Sequence, residues 1–176
     1  ALHLDTVVGM SVTIQRAHVR DVSRVKPLWK LLLQRYRDYA AGDWPVRDPK
    51  EAWERRHQDY LSWINDGMGV IYLATDSEDP DGGLLGYAAL RFVDSGAAMN
   101  LGDSIGLIET VVVHPEHRGK GIGHQLMATC RRELERREIG FGCIETLTTN
   151  EEALGLIEKN GFRPYMTRFI RRIETV

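Results

Sequence analysis
At 176 residues, 43% hydrophobic and 27% charged, the chain has the length and composition of one soluble globular domain with a sizeable core. A net charge of -2 at pH 7 argues against a general nucleic-acid surface. No run approaches the roughly 20 apolar residues a membrane span needs, and Cys130 and Cys143 supply neither metal spacing nor a disulfide framework.

Residues 1–9 lack a basic start and a sustained apolar core, so they read as an N-terminal extension and not as a signal peptide. Met10-Ser11 is the expected natural start, with one domain over 10–176 and a cytoplasmic location. Alternation around Val12 and Ile14 predicts a strand over 11–16. Val22, Val25, Leu28, Trp29, Leu32 and Tyr36 then form a helical face, with Asp21 or Ser23 as cap and Pro27 forcing a late start or a kink. Asp48-Pro49-Lys50-Glu51 is a helix-start signature: a capping carboxylate, proline at the first position, and glutamate three residues after the cap. That helix carries Trp53, His57, Tyr60, Leu61 and Ile64 and ends near Asp66-Gly67.

Strands follow at 70–75 and 84–93, joined by a polar Asp/Gly turn. A loop spans 94–103. The β-branched run 108–113 is the next strand, closed by His114-Pro115 because proline cannot donate to a ladder. Gly119, Gly121 and Gly123 come next, and then Ile122, Leu126, Cys130 and Leu134 recur on one helical face. A strand over 142–148, a helix over 151–159 closed by Asn160-Gly161, and a last strand or strand pair over 162–173 complete the order. The alternation in the second half implies a parallel pair joined by the central helix within a mixed sheet.

The strand–glycine loop–helix stretch carries the chemistry. A helix N-terminus presents unpartnered N–H groups and partial positive charge, and glycine lets a bulky anion approach them. Arg118 and Lys120 add full charges, so the site should bind a phosphate or pyrophosphate. The Walker pattern fails because Gly121 follows Lys120, and Gly-x-Gly-x-x-Gly fails in both registers.

What fits is Arg118-x-x-Gly121-x-Gly123, preceded by Val-x-x-Pro-Glu-x-Arg. This resembles the acetyl-CoA loop of the GNAT superfamily of N-acetyltransferases. The later Asn150-x-x-Ala153 with Gly161-Phe162 is similar to the family's second recurring motif. The resemblance implies an α/β fold of α+β type: a mixed, mostly antiparallel sheet of about six or seven strands, with a parallel pair around a central splay and about four flanking helices. It implies acetyl-CoA as cosubstrate and direct acetyl transfer to a primary amine, on a small molecule or a peptide, in a ternary complex. Neither nucleic acid nor membrane is expected as a partner, and a homodimer stays open.

Carried over residue by residue, the backbone of Val111 and Val113 would bind the pantetheine arm, and an N–H near Val112 or Val113 would meet the thioester oxygen. The N–H groups of Gly119, Lys120, Gly121, Ile122, Gly123 and His124, beside Arg118, would hold the pyrophosphate. Asn150 would touch the cofactor, and by itself also reads as a helix cap. No metal ligand set is expected.

Glu109 is the first candidate for the base. It stands in an apolar strand in step with Leu107, Val111 and Val113, where losing water makes a carboxylate a better proton acceptor. The alternative is a strand-edge glutamate, solvated or paired with arginine. Glu145 and Asp103 are further candidates. His114 and His117 fall at the phosphate end, and His57 and His124 are undistinguished. Ile157 stands where many members of the family carry a proton-donating tyrosine. It keeps a second reading open, a non-catalytic acyl-CoA-binding or regulatory module. Tyr165 would be a substitute donor or a strand aromatic packed on the core. Asp38, Asp43, Asp48 and Glu51 would favour a cationic amine, against which Arg35, Arg37 and Arg47 act. Trp44 and Trp53 suit core and pocket equally.

Overall fold
Strand-forming runs become β1 (Val12–Arg16), β2 (Gly69–Asp76), β3 (Gly86–Asp94), β4 (Ser104–Val113) and β5 (Gly142–Ile144), which form one sheet in that order. The structure is a computed structural model and describes residues 11–173 except Ala41 and Asp43. The N-terminal extension 1–9 and the candidate acid Asp43 therefore lie outside the described residues. Neighbours are antiparallel through β4, and β5 is parallel to β4. A parallel neighbour needs a crossover, and α3 (Ile122–Arg136) supplies it. The other helices are α1 (Lys26–Ala40), α2 (Pro49–Asn65) and α4 (Glu151–Lys159), with 3-10 turns at Val19–Val25 and Pro115–His117.

Pro27 falls at the second position of α1, so the late start is what forms. The cap before it is not Asp21 or Ser23. His18 stands at the N-cap of the preceding 3-10 turn, and its N–H donates to Asp21 Oδ2 at 2.9 Å. Asp48 caps α2 as expected, accepting from the N–H groups of Lys50 and Glu51.

Two cores sandwich the sheet. On one face α1 and α2 bury Leu28, Trp29, Trp53 and Tyr60 against Ile71, Leu73 and Tyr87. On the other α3 buries Ile122, Leu126, Cys130 and Leu134 against Val70, Leu90 and Ile108. The interior strand β2 is covered on both sides, which is why it reads as a nearly unbroken apolar run.

The pairing of β3 with β4 breaks step once. Ala89 pairs with Thr110 but Leu90 with Ile108, so Glu109 is the extra residue of a β-bulge. The bulge reverses which residues face which core: Ile108 joins the α3 side, Val112 the α1–α2 side, and Val111 and Val113 pack with the α3 cluster. Glu109 is therefore in step with Leu107 but not with Val111 and Val113, which corrects the simple alternation read from the sequence.

The sheet has five strands among the described residues, not six or seven. β5 pairs with β4 through only three residues and stops at Ile144 instead of 148. Residues 162–173 form no ladder. Pro164 offers no donor there, and Tyr165, Met166, Phe169, Ile170 and Ile173 stand exposed. Apolar composition favours a strand only when an edge accepts it. Tyr165 is accordingly not a core aromatic.

One buried carboxylate, Glu133, gathers the arginines at the C-terminal end of α3. Burial pushes the Glu133 carboxyl up, but hydrogen bonds from Arg136 and Arg137, at 2.7–3.0 Å, outweigh it and hold the group at about 2, against an ordinary 4.5. Its stabilisation is thus complete above pH 4.5 and is lost as pH falls through 2. Arg136 is largely solvated, and solvent screening trims the effect to about 1 kcal/mol. Urea unfolding should show Glu133→Gln destabilised by that amount at pH 7. The difference should shrink steadily from pH 4.5 towards 2.

Candidate active site
The three glycines of the loop do different jobs. Gly119 and Gly121 hold φ of +73° and +78°, a region open to glycine and strained for other residues. A Cβ at either would meet nothing within 4 Å, so the space before them is clear. Gly121 is the N-cap of α3 and has no side-chain cap hydrogen bond. The N–H groups of Ile122, Gly123 and His124 lie in the turn that has no carbonyl partners within the helix. Gly123 serves packing: a Cβ there would lie 3.2 Å from Leu156 of α4 and 3.6 Å from Val113.

Charges line this cradle. Arg118 donates through Nε to the Val113 carbonyl at 3.3 Å and lies 3.6 Å from Glu152. Glu152 also meets Arg35 of α1 at 2.5 Å, and the hydrogen bond from Arg35 holds its carboxyl below the usual range. Lys120 Nζ stands 3.5 Å from His117 Nδ1, in a group with His114 and Glu116. The expected phosphate-end histidines are thus in the loop itself, and the lysine beside them disfavours a further cation. Asn150 caps α4, accepting from Ala153 N–H at 3.2 Å and donating to Thr146 at 3.3 Å. Its capping role is therefore realised.

Next to the loop the sheet splays. The last β4–β5 pair is Ile108 with Ile144, and from Glu109 onward the outer edge of β4 has no strand partner among the described residues. His114 N–H donates inward to Leu85 at 2.8 Å, and a Cβ on Gly86 would lie 2.8 Å from the Val112 carbonyl. Peptide groups alternate sides along a strand, so Val112 turns inward to β3 while Val111 and Val113 turn to the open edge. Of the three valines, Val111 turns both its N–H and its carbonyl to the gap and Val113 its N–H, the Val113 carbonyl being taken by Arg118 Nε.

Glu109 lies where the splay begins. Its carboxylate stands 3.1 Å from Arg91 of β3 and 3.7 Å from Arg56 of α2. Both guanidiniums lie over Trp63, at 5.0 and 5.4 Å, and Arg56 also lies over Tyr60. Tyr60 hydroxyl bonds Tyr87 at 3.1 Å and Thr110 at 3.2 Å in full burial, pinning α2 to the bulge. Burial pushes the Tyr36 phenol of α1 up, with smaller, mutually opposing effects from the charges of Arg56, Glu109 and Glu145.

Arg56 and Arg91 are the site residues that sequence reasoning missed. The available signal was Arg56: a cation three residues after Trp53 and four before Tyr60 on an otherwise apolar helix face. Glu145 is exposed and tied to Arg168 at 3.3 Å. Asp103 precedes the far end of β4, the length of the strand from the loop. His57 stacks on buried Trp53 at 5.3 Å, while Trp44 is exposed. Burial pushes the Cys130 thiol up to about 12 and raises Cys143 as well, which makes both poor nucleophiles.

No helix among the described residues is long and apolar enough to cross a membrane. A family model described as the Acetyltransferase (GNAT) family matches residues 33–162. No curated protein matches. Among solved structures, a GCN5-related N-acetyltransferase from Ralstonia eutropha is 19% identical with a TM-score of 0.70, covering 93% of this chain and 99% of its own. An aminoglycoside N-acetyltransferase in complex with CoA is 16% identical at a TM-score of 0.71, covering 96% and 99%. A predicted acetyltransferase with acetyl-CoA from Clostridium acetobutylicum is 19% identical at 0.70, covering 92% and 96%. At such identities these likenesses establish the fold.

Proposed function
Since the chain belongs to the acetyltransferase (GNAT) family, we propose that it moves an acetyl group from acetyl-CoA to a primary amine by direct attack in a ternary complex. The observation that carries this reading is a meeting of two features: an open, glycine-lined helix start and an unpaired stretch of β4 face the same gap. The cradle fits the cosubstrate, because clear space lies before Gly119 and Gly121 and two cations flank it.

In this reading the N–H groups from Gly119 to His124, with Arg118 and Lys120, hold the diphosphate. The free backbone of Val111 pairs with the pantetheine arm, and the Val113 N–H, open on the same edge, faces the thioester oxygen. The cosubstrate supplies an activated acyl carbon. Glu109 accepts the proton that the amine must lose, directly or through one water, while the thioester C–S bond breaks and coenzyme A leaves as a thiolate that takes its proton from solvent. Asn150, at the start of α4, completes the wall of the gap.

Thiol release from acetyl-CoA against a panel of primary amines tests the proposal. Turnover with at least one amine is expected. CoA binding with no turnover on any of them would favour the alternative, a non-catalytic acyl-CoA-binding module, to which Ile157 points.

A further inference from the structure
We propose that the acceptor amine also carries a carboxylate, and that Arg56, assisted by Arg91, binds that carboxylate. This rests on the acetyltransferase reading above and names the acceptor class for the same site.

The first argument is charge. Among the described residues, the acids that would have drawn a polycationic amine are engaged elsewhere. Asp48 caps α2, Glu51 takes Arg47 at 2.9 Å and Arg55 at 3.1 Å, and Asp38 takes Gln34 at 3.1 Å. Glu145 faces Arg168. Where the sheet opens, two half-buried guanidiniums face one carboxylate, Glu109. A second positive charge on the acceptor would meet like charge here, and a negative one would balance it.

The second argument is that Arg56 is held in place with donors to spare among the described residues. Its guanidinium lies 5.4 Å from the ring centres of both Tyr60 and Trp63. Tyr60 is fully buried and hydrogen-bonded, so this platform does not move freely. Glu109 stands 3.7 Å away, beyond hydrogen-bond distance, and leaves the guanidinium fork unsaturated. A planar fork fixed in advance is matched to a carboxylate, which it binds through two parallel hydrogen bonds with little further ordering cost.

The third argument links recognition to chemistry. While both arginines face Glu109, its oxygens are directed at cations. An acceptor carboxylate that takes over Arg56 leaves one Glu109 oxygen free to face the amine nitrogen. The arginine pair therefore selects the acceptor and releases the proton acceptor in one event.

The test compares acceptors that differ only in the carboxylate: lysine against cadaverine, and a peptide with N-terminal aspartate against its asparagine counterpart. The first pair reports a free amino acid as the source of the carboxylate, the second a peptide. For the wild type, at least one pair should favour the carboxylate by about tenfold or more in kcat/KM, mainly through KM. Arg56→Gln should remove that preference and Arg56→Lys should restore part of it. Equal or better use of cadaverine and of the asparagine peptide by the wild type would overturn the inference while leaving amine acetylation intact. Absence of thiol release with every amine would remove the acetyltransferase reading and this inference together. If Arg56→Gln fails to fold, the wild-type comparison decides alone.

Discussion

Gly121→Asp should lower coenzyme A affinity by about a hundredfold or more in titration calorimetry, the equivalent of about 2.7 kcal/mol. Two effects add. Gly121 holds φ +78°, which costs a side-chain-bearing residue roughly 1 kcal/mol. Asp tolerates that region better than most residues, so the larger part is electrostatic: its carboxylate would occupy the helix start where the diphosphate is proposed to lie. The fold itself should survive, because a Cβ at this position meets no atom within 4 Å. Gly121→Ala separates the two effects and should show the smaller loss. Wild-type affinity in the aspartate variant would remove the loop from the binding site.

Glu109→Gln should lower kcat by about 10²–10⁴-fold while leaving CoA affinity unchanged, as expected for loss of a proton acceptor. The amide is the same size and can still meet Arg91 and Arg56, so the bulge and its packing stay in place. Losing the anion between two half-buried guanidiniums costs stability, on the order of 1 kcal/mol, which thermal unfolding would register separately. The decisive measurement is the pH–rate profile together with kcat. An unchanged profile and rate would make Glu109 a purely structural partner of the two arginines.

Much of the molecule was legible before any coordinates. Asp48-Pro49 marked the start of α2, and α4 begins and ends where Asn150 and Asn160-Gly161 said it would. Ile122, Leu126, Cys130 and Leu134 form the buried face of α3. The glycine loop could be picked out because its signals lie within a few residues of one another: three alternating glycines, two cations and a helix start.

What could not be read depends on partners distant in the chain. Glu109 looked like one more member of an alternating strand, and only its register against Ala89 and Leu90 shows it to be the bulged residue. Arg56 and Arg91 reach it from α2 and β3, and their shared platform, Trp63, is invisible without the packing of that helix on the sheet. Residues 162–173 have a strand-like composition but no edge that accepts them. Caps, turns and helix faces are mostly local, so the residue string by itself determined where α2, α3 and α4 begin and that a glycine loop with two cations beside it opens α3. Strand register and ion pairing between elements are not local. The tertiary structure alone therefore decided that the sheet opens at Glu109 and that two arginines stand there, because a ladder or a charge pair exists only once both partners have arrived.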